Sequence, residues 1–257
     1  MLYGVFFVVT TRHAVEAPRL TPAEEPIDRS NGRPRGREPI FNIPGVLMAC
    51  VALLVAIQFL RDYVLSVEQK NWMIATAAFN PARYIHPLSE QDALGYFFGP
   101  VGYSLLHGGW AHLGSNALFL VIFATPLVAR IGSLRFTILW ITSAAFSAFF
   151  QAVLTGFEFS FLVGASGVVS ATAGASCRFV MPLLGSDRVR VARYAPRLGV
   201  IEALGQRSVI SFIVFWMIFN VVVAGIDSSS NIAWQAHLGG FLFGYLTFGL
   251  FDPPFRR

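Results

Sequence analysis

Two histidines, an asparagine and a serine stand in otherwise apolar stretches, at spacings that suit reacting groups. In His112-Leu113-Gly114-Ser115-Asn116 the imidazole and the amide are four residues apart, which places both on one face of a helix. Gly164-Ala165-Ser166-Gly167 sets a hydroxyl at the start of a run of small residues. Ala236-His237-Leu238-Gly239-Gly240, followed by Gly244, sets an imidazole at the start of another. A serine beside a histidine is a nucleophile beside its base. A serine at a helix start is also surrounded by unpaired backbone N–H groups that can hold a developing oxyanion. The candidate catalytic pair is therefore Ser166 and His237. The candidate oxyanion donors are the Ser166 backbone N–H, His112 and Asn116, with the Gly167 N–H as a further candidate. Asp227, ten residues before His237, is the nearest acid to it and falls in a short loop. A Ser/His pair rather than a triad is expected.

These residues need elements to hold them, and the composition says which kind. The chain has 257 residues, 55% of them apolar and 13% charged, with 25 Phe. Ordinary soluble domains are about a quarter charged, and one domain of this length has no core large enough to hide so much apolar surface. Six apolar stretches, at about 44–61, 101–126, 134–153, 166–184, 208–225 and 234–251, approach the length of a bilayer-crossing helix. The fold class expected is all-α, a six-helix membrane bundle. The fourth stretch is rich in Ala, Gly and Ser, which suits a helix surrounded by other helices rather than by lipid.

Positive charge orients the bundle. With the N-terminus inside, inside segments hold 16 of the 19 Lys and Arg, and only Arg61, Lys70 and Arg83 fall outside. That asymmetry predicts N-in, C-in. The chain then divides into a polar, Arg- and Pro-rich cytoplasmic tail (1–43), a membrane domain (44–252) and a short basic cytoplasmic end (253–257). The short apolar start, Leu2 to Val9, reads as neither a signal nor a transit peptide. Within the membrane domain, 62–100 forms a long external connection. Its Val64, Val67, Trp72, Met73, Ile74 and Phe79 among polar residues suit a helix lying in the interface.

In this topology stretches two, four and six all begin on the outer side, so Ser166, His237, His112 and Asn116 share a depth. Ser166, Ser170 and Gly174 form a small-residue stripe on the fourth stretch, and His237, Gly240 and Gly244 form one on the sixth. Small-xxx-small faces let backbones approach closely, so packing the two stripes together brings Ser166 to His237. Gly164, Gly240 and Gly244 are structural residues near the site in this reading. So is His107, which is flanked by Gly108 and Gly109 and reads as a helix-entry histidine.

The sequence resembles the rhomboid family of intramembrane serine proteases. The matching pieces are His107, the His112–Asn116 pair, Gly164-Ala165-Ser166-Gly167, and Ala236-His237 with Gly240 and Gly244, in the family's order and spacing across about 44–251. The resemblance implies Ser166 as nucleophile, His237 as general base, and Ser166 N–H, His112 and Asn116 as the oxyanion site. It implies cleavage of transmembrane substrates near the outer face, usually after a small residue, with no cofactor and no metal. There are departures. No Trp-Arg pair occurs in the first external connection. Ser170 stands where many members stack an aromatic ring on the histidine. Val128 stands where many carry an acid two residues before the Arg130-x-Gly132 turn, which puts that structural contact in doubt.

Taken singly, each piece has a plainer reading. Gly-Ala-Ser-Gly is a common packing motif in membrane helices, and His237, His112 and Asn116 can each serve as interhelical glue. Val168 replaces the second glycine of a Gly-x-Ser-x-Gly elbow, so a soluble α/β hydrolase is not supported. No His-Glu-x-x-His occurs, and no basic helix or zinc spacing supports nucleic acid despite a pI near 9.6. A transporter calls for polar groups at mid-membrane rather than near one face, and no internal repeat is evident. The reading is thus an intramembrane serine endopeptidase, in a bacterial inner membrane by its topology, with membrane-protein substrates and lipid as partners. The alternative is a catalytically silent rhomboid-like protein that binds or escorts membrane proteins.

Overall fold

The computed structural model describes residues 43–181, 194–226 and 233–252. The tail before residue 43, Asp227, the arginines 188, 190 and 193, and the basic end 253–257 lie outside the described residues.

Every regular element among the described residues is helical. Helix α1 (Gly45–Phe59) runs on as a π-turn to Val64, α2 spans Val67–Ala77 and α3 spans Ala93–Gly102. Helix α4 covers Trp110–Leu154, α5 covers Ser166–Ser176, and a short α6 covers Val200–Leu204. Helices α7 (Arg207–Ile226) and α8 (Trp234–Phe251) follow. Gly45–Val64 and Trp110–Leu154 are long and apolar enough to cross a membrane. Within α4, Gly132 takes φ 78° and ψ 170°, a conformation that breaks the helical path and that glycine alone adopts cheaply. The break falls between the second and third apolar stretches.

The connection between α1 and α4 holds more structure than its composition predicts. Ser66 and Gln69 close a reciprocal capping box at the start of α2, and Asp92 accepts from the N–H groups of Leu94 and Gly95 to start α3. Helix α2 covers part of the segment expected to be helical, and a second helix, α3, follows it. The second apolar stretch is corrected at its start: residues 103–105 form a buried 3-10 turn and the helix begins at Trp110. Apolar composition alone does not separate a buried turn from a membrane helix. The fourth stretch is regular only to Ser176, after which turns continue to Met181.

Gly167 to Ser176 are all buried, as the composition of α5 predicts, and α4 and α8 pack around it. Bulky side chains instead face outward: Met48 and Phe59 on α1, Leu118 and Ile138 on α4, Phe215 and Ile218 on α7. Bulky apolar side chains exposed in this number suit lipid.

The contact that Val128 put in doubt is supplied from elsewhere. Arg130 Nε and Nη2 donate to the two carboxylate oxygens of Asp252 at 2.7 and 2.9 Å, and Arg130 Nη1 donates to the Ala195 carbonyl at 2.7 Å. The acid comes from the end of α8 rather than from the same turn.

Candidate active site

The serine is presented by a loop fastened at several points. Phe79 and Leu162 exchange backbone hydrogen bonds of 3.2 and 2.9 Å, and Gly164 N–H donates to the Tyr103 carbonyl at 2.9 Å. The Ala165 N–H donates to His107 Nε2 at 3.4 Å, while the Arg61 guanidinium holds the His107 carbonyl. His107 is buried, and its ring grips the residue before Ser166. Ala165 offers no side-chain cap, so the leading N–H groups of α5 are not taken by one.

Three helices converge just beneath Ser166. A β-carbon on Gly167 would stand 2.8 Å from Ser147 Cβ and 2.9 Å from Tyr103 Oη. One on Gly240 would overlap the Gly167 carbonyl, one on Gly244 the Ala171 carbonyl, and one on Gly174 the Phe241 carbonyl. The stripes of small residues do meet, with a shift of register. On α5 the contact row is Gly167, Ala171 and Gly174, not Ser166 and Ser170. Ser170 Oγ is buried and has no hydrogen-bond partner among the described residues.

Backbone-to-backbone packing at Gly240 and Gly167 fixes how far apart Ser166 and His237 lie. Ser166 Oγ and His237 Nε2 are 2.7 Å apart. His237 Nδ1 lies 2.5 Å from Asn220 Oδ1 on α7. Asn220 is a polar neighbour of His237 that the sequence reading missed. A lone amide in an apolar helix carries no motif, and only the meeting of α7 and α8 gives it a role. It also replaces the aromatic ring lacking at Ser170 as the group that holds His237.

His112 and Asn116 flank the same point from α4. The Gly108 N–H donates to His112 Nδ1 at 3.3 Å, so in the neutral ring the proton resides on Nε2, which becomes a donor. A β-carbon on Gly164 would lie 2.8 Å from His112 Nε2 and 3.6 Å from Asn116 Nδ2. Gly164 has φ +120°, so this approach depends on glycine twice over. Asn116 Nδ2 is buried with no hydrogen-bond partner among the described residues. Two side-chain donors thus stand by the loop just before Ser166. Among the described residues no group of three or more His, Cys, Asp or Glu is placed to hold a metal ion.

The family model for the Rhomboid domain matches residues 94–252. The chain belongs to the rhomboid family. No curated protein matches it. As a rhomboid it is an integral membrane protein, and its partners include the bilayer and the proteins embedded there. The matched region takes in Ser166, His237, Asn220, His112, Asn116 and His107, and both residues of the Arg130–Asp252 pair.

The rhomboid seam gives a direct test of the packing. Gly240→Ala is expected to lower any Ser166-dependent activity by roughly 100-fold, since misplacing reacting groups by about 1 Å costs that much. It also destabilises by about 1–3 kcal/mol through overpacking. Gly45→Ala, where a β-carbon meets nothing within 4 Å, leaves both unchanged. Cleavage rates and thermal midpoints of the two variants in detergent decide it, and a fully active Gly240→Ala would contradict the seam's role.

Proposed function

We propose that this rhomboid is an intramembrane serine endopeptidase. The observation that carries the reading is the 2.7 Å contact between Ser166 Oγ and His237 Nε2. A substrate helix unwinds near the outer boundary and offers a carbonyl to Ser166. His237 accepts the hydroxyl proton as the Oγ–carbon bond forms, then delivers it to the departing amine as the peptide bond breaks. Water hydrolyses the acyl-enzyme in the same two steps, with His237 again as base. The negative oxygen is held by the N–H of Ser166 and the donors on His112 and Asn116, with the Gly167 N–H as a further contributor.

The same reading takes the apolar stretches as six crossings, N-in and C-in, with 44–252 as the membrane domain and a bacterial inner membrane as its place. The bias of 16 of 19 basic residues to one side supports it. Substrates are single-span or polytopic membrane proteins cut near the outer face, with no metal or cofactor in the reaction.

The test uses full-length protein in liposomes with a fluorophosphonate probe and a generic transmembrane substrate. Wild type is expected to label and to cleave, and Ser166→Ala to do neither while folding normally, because alanine suits the small-residue surroundings. Silence of both readouts from folded, monodisperse wild type would assign the chain instead to the silent members of the family that bind membrane proteins without cutting them.

A further inference from the structure

Asn220 is held from two sides, and together they fix which way its amide points. Its Nδ2 donates to the Trp216 carbonyl one turn earlier, at 2.6 Å, which leaves Oδ1 facing His237 Nδ1 at 2.5 Å. An amide oxygen only accepts, so Nδ1 of the neutral imidazole must carry the proton. Nε2 is then the lone-pair nitrogen, and it is the atom that faces Ser166 Oγ. Trp216 is buried, and its ring lies edge-on to Phe119 and Phe123 with centroids 5.8 and 5.3 Å away. Those contacts seat α7 against α4 and place the face that bears Asn220.

We infer that Asn220 is a positioning residue that fixes the tautomer and ring plane of His237, making a Ser166–His237–Asn220 relay across helices α5, α8 and α7. The inference rests on the reading of Ser166 and His237 as nucleophile and base. Asn220 touches no reacting atom. It acts by holding the Nδ1 proton in place, so that the Nε2 lone pair stays aimed at Ser166 when the substrate arrives. None of its three members is a carboxylate, so the relay is neutral until His237 accepts the serine proton.

The test compares wild type, Asn220→Leu and Asn220→Asp as full-length protein in liposomes. Leucine keeps the shape and removes the acceptor. It is expected to lower kcat by roughly 100- to 10,000-fold, as loss of the orienting group does in serine hydrolases, with KM nearly unchanged and fluorophosphonate labelling slowed in step. Aspartate keeps an oxygen for Nδ1–H, although it faces the Trp216 carbonyl without a donor. It is expected to retain at least tenfold more kcat than leucine. A folded Asn220→Leu at wild-type rate, or a folded Asn220→Asp no faster than leucine, would overturn the assignment. Histidine 15N spectra of wild type give a readout independent of turnover and of variant folding, with the His237 signals assigned by their loss in His237→Ala. Protonated Nδ1 with unprotonated Nε2 at neutral pH is expected, and the reverse tautomer overturns it. If wild type neither labels nor cleaves yet shows that tautomer, the protease reading fails while the Asn220 contact stands.

Discussion

Alanine at either Ser166 or His237 is expected to lower kcat by about a millionfold, and alanine at both to lower it no further. The two groups perform one act. Without the imidazole the hydroxyl keeps its proton, and without the hydroxyl the imidazole has nothing to activate. Their 2.7 Å contact is the geometric basis for treating them as one unit. What survives in each variant is set by the donors of His112, Asn116 and the α5 backbone, and is the same for all three. Single-turnover cleavage in liposomes by both single variants and the double variant checks this. Rate losses that multiply in the double variant would mean the residues contribute independently, which the proposed mechanism does not allow.

Asp252→Ala is expected to destabilise the fold by about 3–5 kcal/mol, the usual cost of removing one partner from a buried ion pair. The side chains of Arg130 and Asp252 are only 2% and 3% exposed. The guanidinium also lies over the rings of Phe179 and Phe248, 4.9 and 5.7 Å from their centroids. Alanine takes the carboxylate away while the charge on Arg130 stays buried. The double substitution Arg130→Met/Asp252→Leu removes both charges and is expected to be markedly more stable than Asp252→Ala, because a buried pair gains little net free energy over an apolar replacement. Unfolding midpoints of the three proteins in detergent test the claim, and an Asp252→Ala protein as stable as wild type would refute it.

The parts of this molecule visible in the sequence are those written in local pattern. His112 and Asn116 share a helix face by their spacing, Ser166 and His237 open small-residue runs, and the composition of α5 announces that it is enclosed. What escaped depends on contacts between residues far apart in the chain. Asn220 is one amide in an apolar helix, and Asp252 is one acid at a helix end. Neither has a neighbour in sequence that hints at His237 or Arg130. The start of α4 was misplaced for a related reason: Tyr103 and Ser104 are buried in a turn, and a residue buried in a turn looks much like one buried in a span. The α5 contact row keeps Gly174 but takes Gly167 and Ala171 in place of Ser166 and Ser170, because the glycines that admit those two carbonyls, Gly240 and Gly244, lie on α8.

The Gly167–Gly240 crossing ties catalysis to assembly. Because carbonyl meets α-carbon there with no side chain between, the separation of the two backbones that carry nucleophile and base is a property of two helix axes, and Asn220 then sets the imidazole ring on one of them. No loosened intermediate with native helices and slack packing can keep the hydroxyl under the imidazole. Under the proposed function, turnover therefore vanishes at the same denaturant or temperature as tertiary structure, and residual activity in any detergent reads directly as the fraction of molecules correctly assembled.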